Sequence, residues 1–488
     1  MADGKGSVVP HRGAILTIIL CVQLLNTIDI TVMNMALPQI QRQFDFSPTG
    51  LSWVINAYTL VYGGLLLLGG RLGDILGHRR VLLIGVGVFA TASLLGGLAQ
   101  AEWWLLAARA VQGAAAALTA PSTLALIVRT FHDPEERTRA LGISVVASGV
   151  GTTGGLLLGG LLTDLGSWRW VLFINVPIGL AVLIFAPRVV PATSGVRGSF
   201  DLGGALAATA GMVALVYGFV RAPQSGWTSP VTITAFVVAV VFVVVLIVIE
   251  SKHHQPMLRL RLFADRNRSA GFLVFVCSAA AMFGMFFFLT QFVQDVLGLR
   301  PIEAGVAFLP MAVAMMLMPR LVTPKLVSAI GAKATMAGGL VFVAVSMAWL
   351  TQVSASTNYF AGIAGPMLLS GIGVGMLNAP LAGTILATVP REDAGSASGV
   401  LQTVATIGGS VGTAILVTVF GSAIRNDPQT AVLGPTAKPV LAHGIATACI
   451  GGVAFAIVGL LIVLGVIRTP KPVKAAKASV APEPATSS

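Results

Sequence analysis

Apolar stretches of about 20 residues recur along this whole 488-residue chain, and no other feature constrains its fold so tightly. A bilayer core about 30 Å thick needs roughly 20 apolar residues of helix to cross it. Inside hydrocarbon, only helices or closed barrels satisfy every backbone polar group. A barrel would carry short alternating segments, whereas these runs are continuous. Composition agrees: 56% of residues are hydrophobic and 10% charged, against roughly 25% charged in soluble domains. The expected class is therefore an all-α integral membrane protein.

The runs place spans near 14–36, 51–71, 81–100, 103–127, 140–163, 170–187, 202–221, 229–249, 270–295, 303–323, 332–352, 359–382, 395–423 and 443–467. Fourteen spans put both termini on one side. With that alternation, 23 of the 30 basic residues fall on the side of the termini, 6 on the other, and Arg109 inside a span. Positive loops stay cytoplasmic, so both termini are expected in the cytoplasm of a multi-pass protein of the cell's inner (plasma) membrane. The net charge of +12 then belongs to membrane topology, and no nucleic-acid partner is expected. Residues 1–13 read as a cytoplasmic tail, and the run after them as a permanent span rather than a signal peptide. Residues 468–488 read as a disordered cytoplasmic tail.

Cys21, Cys277 and Cys449 lie in apolar runs and fit no disulfide or metal spacing. No metal or cofactor is expected. Gly408-Gly409-Ser410-Val411-Gly412-Thr413 lies mid-span and lacks the lysine of a phosphate loop, so it reads as a helix-packing surface. With no nucleotide-hydrolysing domain the chain reads as no enzyme, and its work would draw on an ion gradient. The membrane potential alone offers about 2.3 kcal/mol per charge per 100 mV.

Between the second and third runs sits Gly70-Arg71-Leu72-Gly73-Asp74-Ile75-Leu76-Gly77-His78-Arg79-Arg80. Its glycines permit a tight turn, and its charges mark a short loop outside the hydrocarbon. The string can be laid on Pro324-Lys325-Leu326-Val327-Ser328-Ala329-Ile330-Gly331-Ala332-Lys333, where base, Leu, Gly and base recur and Ser328 replaces Asp74. This faint repeat suggests two related six-helix bundles, 14–187 and 270–467. The linker between them, 188–269, would carry two extra helices without counterpart.

The Gly70–Arg80 string resembles the loop signature of the major facilitator superfamily. Further strings resemble its fourteen-helix drug:proton antiporter branch. Leu25-Asn26-Thr27-Ile28-Asp29-Ile30-Thr31-Val32-Met33-Asn34-Met35-Ala36-Leu37-Pro38 is similar to that branch's first-helix signature. Leu105, Arg109, Gln112 and Gly113 match the family's intramembrane arginine motif. Trp168-Arg169-Trp170, followed by Ile174-Asn175-Val176-Pro177-Ile178-Gly179, is close to a family hallmark. Gly151, Gly155, Gly159 and Gly160 resemble its antiporter motif, with Leu156 at the proline position. The resemblance implies two bundles with alternating access and a latch on the cytoplasmic side made by Gly70, Asp74, Gly77, Arg79 and Arg80. It also implies proton-coupled export.

The residues also argue for themselves. A carboxylate in an apolar helix costs at least a few kcal/mol, so Asp29 is a functional candidate by default. Burial disfavours its charge and a nearby cation restores it, which suits a proton carrier; a static ion pair is the competing reading. Arg109 is the natural partner. At 1.5 Å per residue both lie roughly 10 Å below the outer boundary, though the sequence leaves open whether they face each other. The glycine stripe of the fifth span lets helices pack closely. Asp29, Asn34, Asn56, Tyr58, Gln112, Gln291 and Asn378 are candidate substrate-binding positions. Gln23 and Gln294 are further polar positions, lining a cavity or hydrogen-bonding between helices. Met282, Phe283, Met285, Phe286, Phe287 and Phe288 form a patch that suits either an apolar pocket or a lipid-facing surface. Asp74 is expected to meet Arg129, Arg137 or the helix start near residues 394–396.

The chain therefore reads as a proton-coupled antiporter exporting amphipathic or cationic organic compounds, such as drugs or antibiotics. Its partners would be a small-molecule substrate, protons and the lipid bilayer. A proton-coupled or facilitative importer of a small nutrient, or a non-transporting scaffold, are the alternatives. The buried charges argue against a scaffold.

Overall fold

A computed structural model describes residues 12–47, 50–131, 133–191, 202–252, 263–386, 389 and 394–468. Both proposed tails lie largely outside these residues. The described chain is helical throughout. The first half comprises α1 (Arg12–Phe44), α2 (Trp53–Leu76), α3 (His78–Gly97), α4 (Glu102–Thr130), α5 (Pro134–Leu165), α6 (Arg169–Phe173) and α7 (Asn175–Val189). Two helices follow, α8 (Leu202–Ser225) and α9 (Pro230–Lys252). The second half holds α10 (Arg266–Gln291), α11 (Pro301–Ala307), α12 (Leu309–Leu321), α13 (Thr323–Ile330), α14 (Ala332–Leu350), α15 (Gly365–Leu386), α16 (Ala394–Asn426), α17 (Thr430–Leu433) and α18 (Lys438–Gly465).

Among the described residues, 11 helical segments are long and apolar enough to cross a membrane, or 12 with the pair 50–66 and 68–76, bent by 51°. Two shorter apolar helices, Val150–Leu165 and Leu206–Phe219, lie within α5 and α8. Length and apolarity among the described residues thus give 11 or 12 spans, with these two shorter helices beside them.

The string Gly70–Arg80 is tighter than the expected loop. Helix α2 runs through Arg71 and Asp74 to Leu76, and α3 begins at His78. Gly77 alone turns the chain, at φ 90°, a region open to glycine at little cost. Its aligned partner Gly331 sits at φ 89° between α13 and α14. The repeat read from a few matching residues thus has a backbone counterpart at the same position.

Helices pack within each half, and α5 on α11 and α2 on α16 join the halves. In the first half, α2 and α3 pack on α4, and α1 on α5. In the second, α14 packs on α15 and α10 on α16 and α18. The glycine-rich string on α16 serves this last contact: a Cβ on Gly412 would lie 2.2 Å from the Ala280 Cα. Helix α8 touches both halves, packing on α2 and on α16. Leu60, Val216 and Ala414, one from each helix, share a buried cluster, and Thr209 donates to the Gly64 carbonyl at 2.7 Å. Helix α9 packs on α8 and exposes a long row of valines.

Candidate functional site

Four helices converge on Asp29. From α4, Arg109 Nη1 donates to Asp29 Oδ2 at 2.7 Å. Gln112, one turn along, donates from Nε2 to Asp29 Oδ1 at 3.2 Å and to Ser93 Oγ of α3 at 2.8 Å. Its Oε1 accepts from Arg109 Nη1 at 2.9 Å. From α7, Asn175 Nδ2 donates to Asp29 Oδ1 at 2.8 Å. Arg109 Nε also donates to the Val54 carbonyl of α2 at 3.2 Å, and the guanidinium lies 4.6 Å from the Tyr58 ring centroid. Asp29, Arg109, Gln112, Ser93 and Asn175 are all at most 1% exposed.

The chemistry follows from this geometry. A buried ion pair is tolerable only when its remaining donors and acceptors are satisfied. Here three donors clasp one carboxylate, and the arginine has two further acceptors and an aromatic face. Arg109 therefore keeps partners even if Asp29 loses its charge. Spacing explains the placement on α4: residues three apart share a helix face, so Arg109 and Gln112 both point at α1.

The two side chains whose facing the sequence left open thus meet directly, and Gln112 joins them. Tyr58 stands beneath the arginine and stacks on Tyr62 at 5.9 Å. Its hydroxyl is buried without a hydrogen-bond partner among the described residues. The other predicted positions lie apart from the clasp. Asn34 bonds its own helix at Ile30, and Gln291 bonds its own at Phe287. Asn378 is half-buried on α15. Asn56 is buried with neither amide atom partnered among the described residues, on the face of α2 where Thr59 meets Ser410 of α16 at 3.1 Å. Gln23 and Gln294 hydrogen-bond between helices: Gln23 to Ser144 and Ser148 of α5, Gln294 to the Met35 carbonyl at 3.1 Å.

Sequence reasoning missed Ser93 and Asn175 as members of the site. Asn175 was within view, a polar residue at the start of an apolar helix inside a quoted motif. Nothing local marked it as aimed at α1.

Glycines Gly151, Gly155 and Gly159 face α1: a Cβ on them would approach Leu24, Thr31 and Val32 respectively. Gly160 instead faces α11, where a Cβ would lie 2.4 Å from the Pro301 carbonyl oxygen. Leu156, at the motif's proline position, is buried, and its carbonyl is what a Cβ on Gly305 would strike at 2.7 Å. Near this contact Arg300 lies 3.6 Å from Asp164. The aromatic patch is core: Phe286, Phe287 and Phe288 are buried, with Phe286 stacked on Phe308 and Phe288 against Phe420. This overturns the lipid-facing alternative for these three.

Asp74 has a different partner from those expected. His78 Nε2 lies 3.2 Å from its Oδ1, because the single-residue turn at Gly77 folds the imidazole back over α2. A Cβ on Gly73 would lie 2.4 Å from the His78 ring, so a larger residue there would push the imidazole aside. Arg129 is close enough to act on the Asp74 charge; the Arg137 side chain and those of 394–399 lie outside the described residues. Arg79 donates to the Pro187 carbonyl at 2.6 Å, Gly70 packs by Pro121, and Arg80 is exposed. A groove of about 940 Å³ on the flank of α12 and α15, lined by Val313, Leu317, Phe360 and Leu368, contains none of the predicted site residues.

The family profile of the Major Facilitator Superfamily matches residues 19–413. The puromycin resistance protein pur8 of Streptomyces alboniger is 39% identical over 415 residues, 84% of this chain and 82% of that protein. The cephamycin export protein CmcT of Amycolatopsis lactamdurans is 39% identical over 404 residues, 82% of this chain and 83% of that protein. Among solved structures, a bacterial homolog of the human lysosomal transporter Spinster, inward-facing and unoccupied, aligns with a TM-score of 0.64 at 17% identity. It covers 94% of this chain and 97% of that one, a likeness of fold.

Proposed function

This chain belongs to the Major Facilitator Superfamily, and from that premise we propose that it exports amphipathic or cationic organic compounds, antibiotics among them, in exchange for protons. Its similarity to antibiotic resistance and export proteins supports export over uptake. The observation that carries proton coupling is the clasp on Asp29. A carboxylate wholly withdrawn from water, held by an arginine that has other partners, can be neutralised without stranding that arginine. Such a group changes the balance between conformers when it gains or loses a proton.

In this reading Asp29 carries the proton and Arg109 holds its charged form. Tyr58 and Gln112 sit beside them, and Asn34, Asn56, Gln291 and Asn378 contribute substrate contacts. Residues 14–187 and 270–467 rock against each other, while the 188–269 segment follows with its two additional helices. Both termini face the cytoplasm. The Gly70–Arg80 turn, through Asp74, Gly77, Arg79 and Arg80, latches that side.

The test uses purified protein in proteoliposomes. Asp29→Asn keeps the size and removes the charge. It should insert, lose pH-driven uphill export, and lose proton release on substrate addition. Undiminished substrate-linked proton release in Asp29→Asn ends the proton-carrier reading.

A further inference from the structure

The two amides that clasp Asp29 are not equivalent. Gln112 is committed at both ends: its Nε2 serves Asp29 and Ser93, and its Oε1 accepts from Arg109. Turning that amide over would set its carbonyl against the carboxylate and its N–H against the guanidinium. Asn175 is free to turn. Its Nδ2 donates to Asp29 Oδ1 at 2.8 Å, while its own Oδ1 is buried without a hydrogen-bond partner among the described residues. A buried carbonyl left unmet is unfavourable, and turning this amide would bring that carbonyl to the carboxylate.

An ionised carboxylate only accepts, so it must meet the N–H edge of an amide. A protonated one carries an O–H and can be met by the C=O edge. Asn175 stands at the first residue of α7, beside the one carboxylate oxygen that Arg109 does not hold. We propose that Asn175 is the positioning residue for the proton: when a proton binds Asp29 Oδ1, the Asn175 amide turns over and its carbonyl accepts the new O–H. Release of the proton reverses the turn and restores the N–H bond. No bond other than the O–H forms or breaks covalently, and no other hydrogen bond of Asn175 is sacrificed.

Both protonation states of Asp29 then keep a partner on Oδ1, and the acid stays in register with α7 through the cycle. Among the described residues, the charged and titratable groups facing Asp29 are Arg109 from α4 and Tyr58 from α2. Ser93 of α3 reaches the site only through Gln112, and α7 brings the neutral Asn175. The inference rests on the reading of Asp29 as proton carrier.

Acid-induced infrared difference spectroscopy on the whole protein in lipid vesicles tests it, with asparagine side-chain carbonyls carrying ¹³C. In the wild type, acidification should produce a carboxylic-acid band that is missing from unlabelled Asp29→Asn. A labelled asparagine band should move to lower frequency in step with it, as a carbonyl gains a donor. That movement should vanish in Asn175→Leu and, should leucine not fold there, in Asn175→Ser. A carboxylic-acid band from Asp29 with no asparagine movement overturns the role of Asn175 and leaves the proton carrier standing. Asparagine movement that persists in both Asn175 variants does the same. Absence of any Asp29-dependent acid band overturns both.

Discussion

The two halves of the molecule solve the same packing problem with opposite chemistry. The first half is centred on ions: Asp29 and Arg109, with Gln112, Ser93 and Asn175, are buried together and bonded to one another. The second half is centred on aromatic rings, with Phe286 stacked on Phe308 and Phe288 against Phe420. A repeat in backbone therefore does not mean a repeat in function. The first half holds a buried, fully bonded ion pair, and the second an apolar wall of packed rings. The contrast extends to the matched turns. Gly77 and Gly331 share their backbone conformation, yet Asp74 pairs with His78 where Ser328 merely bonds the Lys325 carbonyl.

The largest effect should come from Arg109→Ala. It strands a buried carboxylate, which costs about 3–5 kcal/mol, and should lower thermal stability in detergent and abolish uphill export together. The Asp29→Asn/Arg109→Ala double variant should recover stability but not coupling. Recovery of both would reduce the first half's ions to a static pair and erase the contrast with the second.

Next come the glycine contacts, one from each half. A Cβ on Gly412 meets the Ala280 backbone, whereas one on Gly155 first meets the Thr31 side-chain hydroxyl at 1.9 Å. Backbone cannot yield, whereas the Thr31 side chain can change its χ1 rotamer. Gly412→Ala should therefore destabilise by about 1–3 kcal/mol, in the range of overpacked cores, and Gly155→Ala by less. Equal losses in thermal unfolding would mean that α1 and α5 are as rigidly joined as α10 and α16.

The turns sharpen the comparison further. Gly77→Ala and Gly331→Ala should each cost about 1–3 kcal/mol, the price of a non-glycine residue held at positive φ, and they should cost alike. Asp74→Asn should break the symmetry by slowing transport a few-fold, roughly 1 kcal/mol of barrier, while Ser328→Ala leaves the rate unchanged. Matching rates in the two variants, measured in proteoliposomes, would make the Gly70–Arg80 string a topological marker alone.

The smallest effect concerns Asp427, in the connection between α16 and α18. Hydrogen bonds from the Gln429 backbone and from His443 hold its carboxyl below the ordinary carboxylate range. A lowered value means that its stabilisation is present above the ordinary range and fades as pH falls through the lowered one. Asp427→Asn should lower a thermal stability profile slightly near neutrality and flatten its acid limb below about pH 4, where the two proteins converge. A flattened limb in the His443→Gln variant as well would identify the pair as its source.

Much of this was legible in residues. Apolar run length announced the spans, and the placement of Lys and Arg gave an expected orientation. The quoted strings pointed to the family, and Asp29 and Arg109 stood out because charge in hydrocarbon has a cost that composition reveals. Gly70–Arg80 was legible as a turn but not as a one-residue turn, since helix propensity alone does not say how far α2 continues past Arg71. Asp74 looked outward to arginines, and His78 was passed over because its return across α2 depends on the φ of Gly77.

What the sequence by itself determined is everything that depends on the cost of moving a residue between water and hydrocarbon: spans, loops, and the exceptional buried charges. What only the tertiary structure decided is which helix face meets which. Asn175 and Ser93 completing the clasp, α8 spanning both halves, and the phenylalanines turning inward all belong to this second class. The physical reason is that lipid and protein interior are equally apolar, so hydrophobicity does not distinguish the two faces of a membrane helix. Those faces are chosen instead by close packing and by the need of each buried polar atom for a partner on another helix.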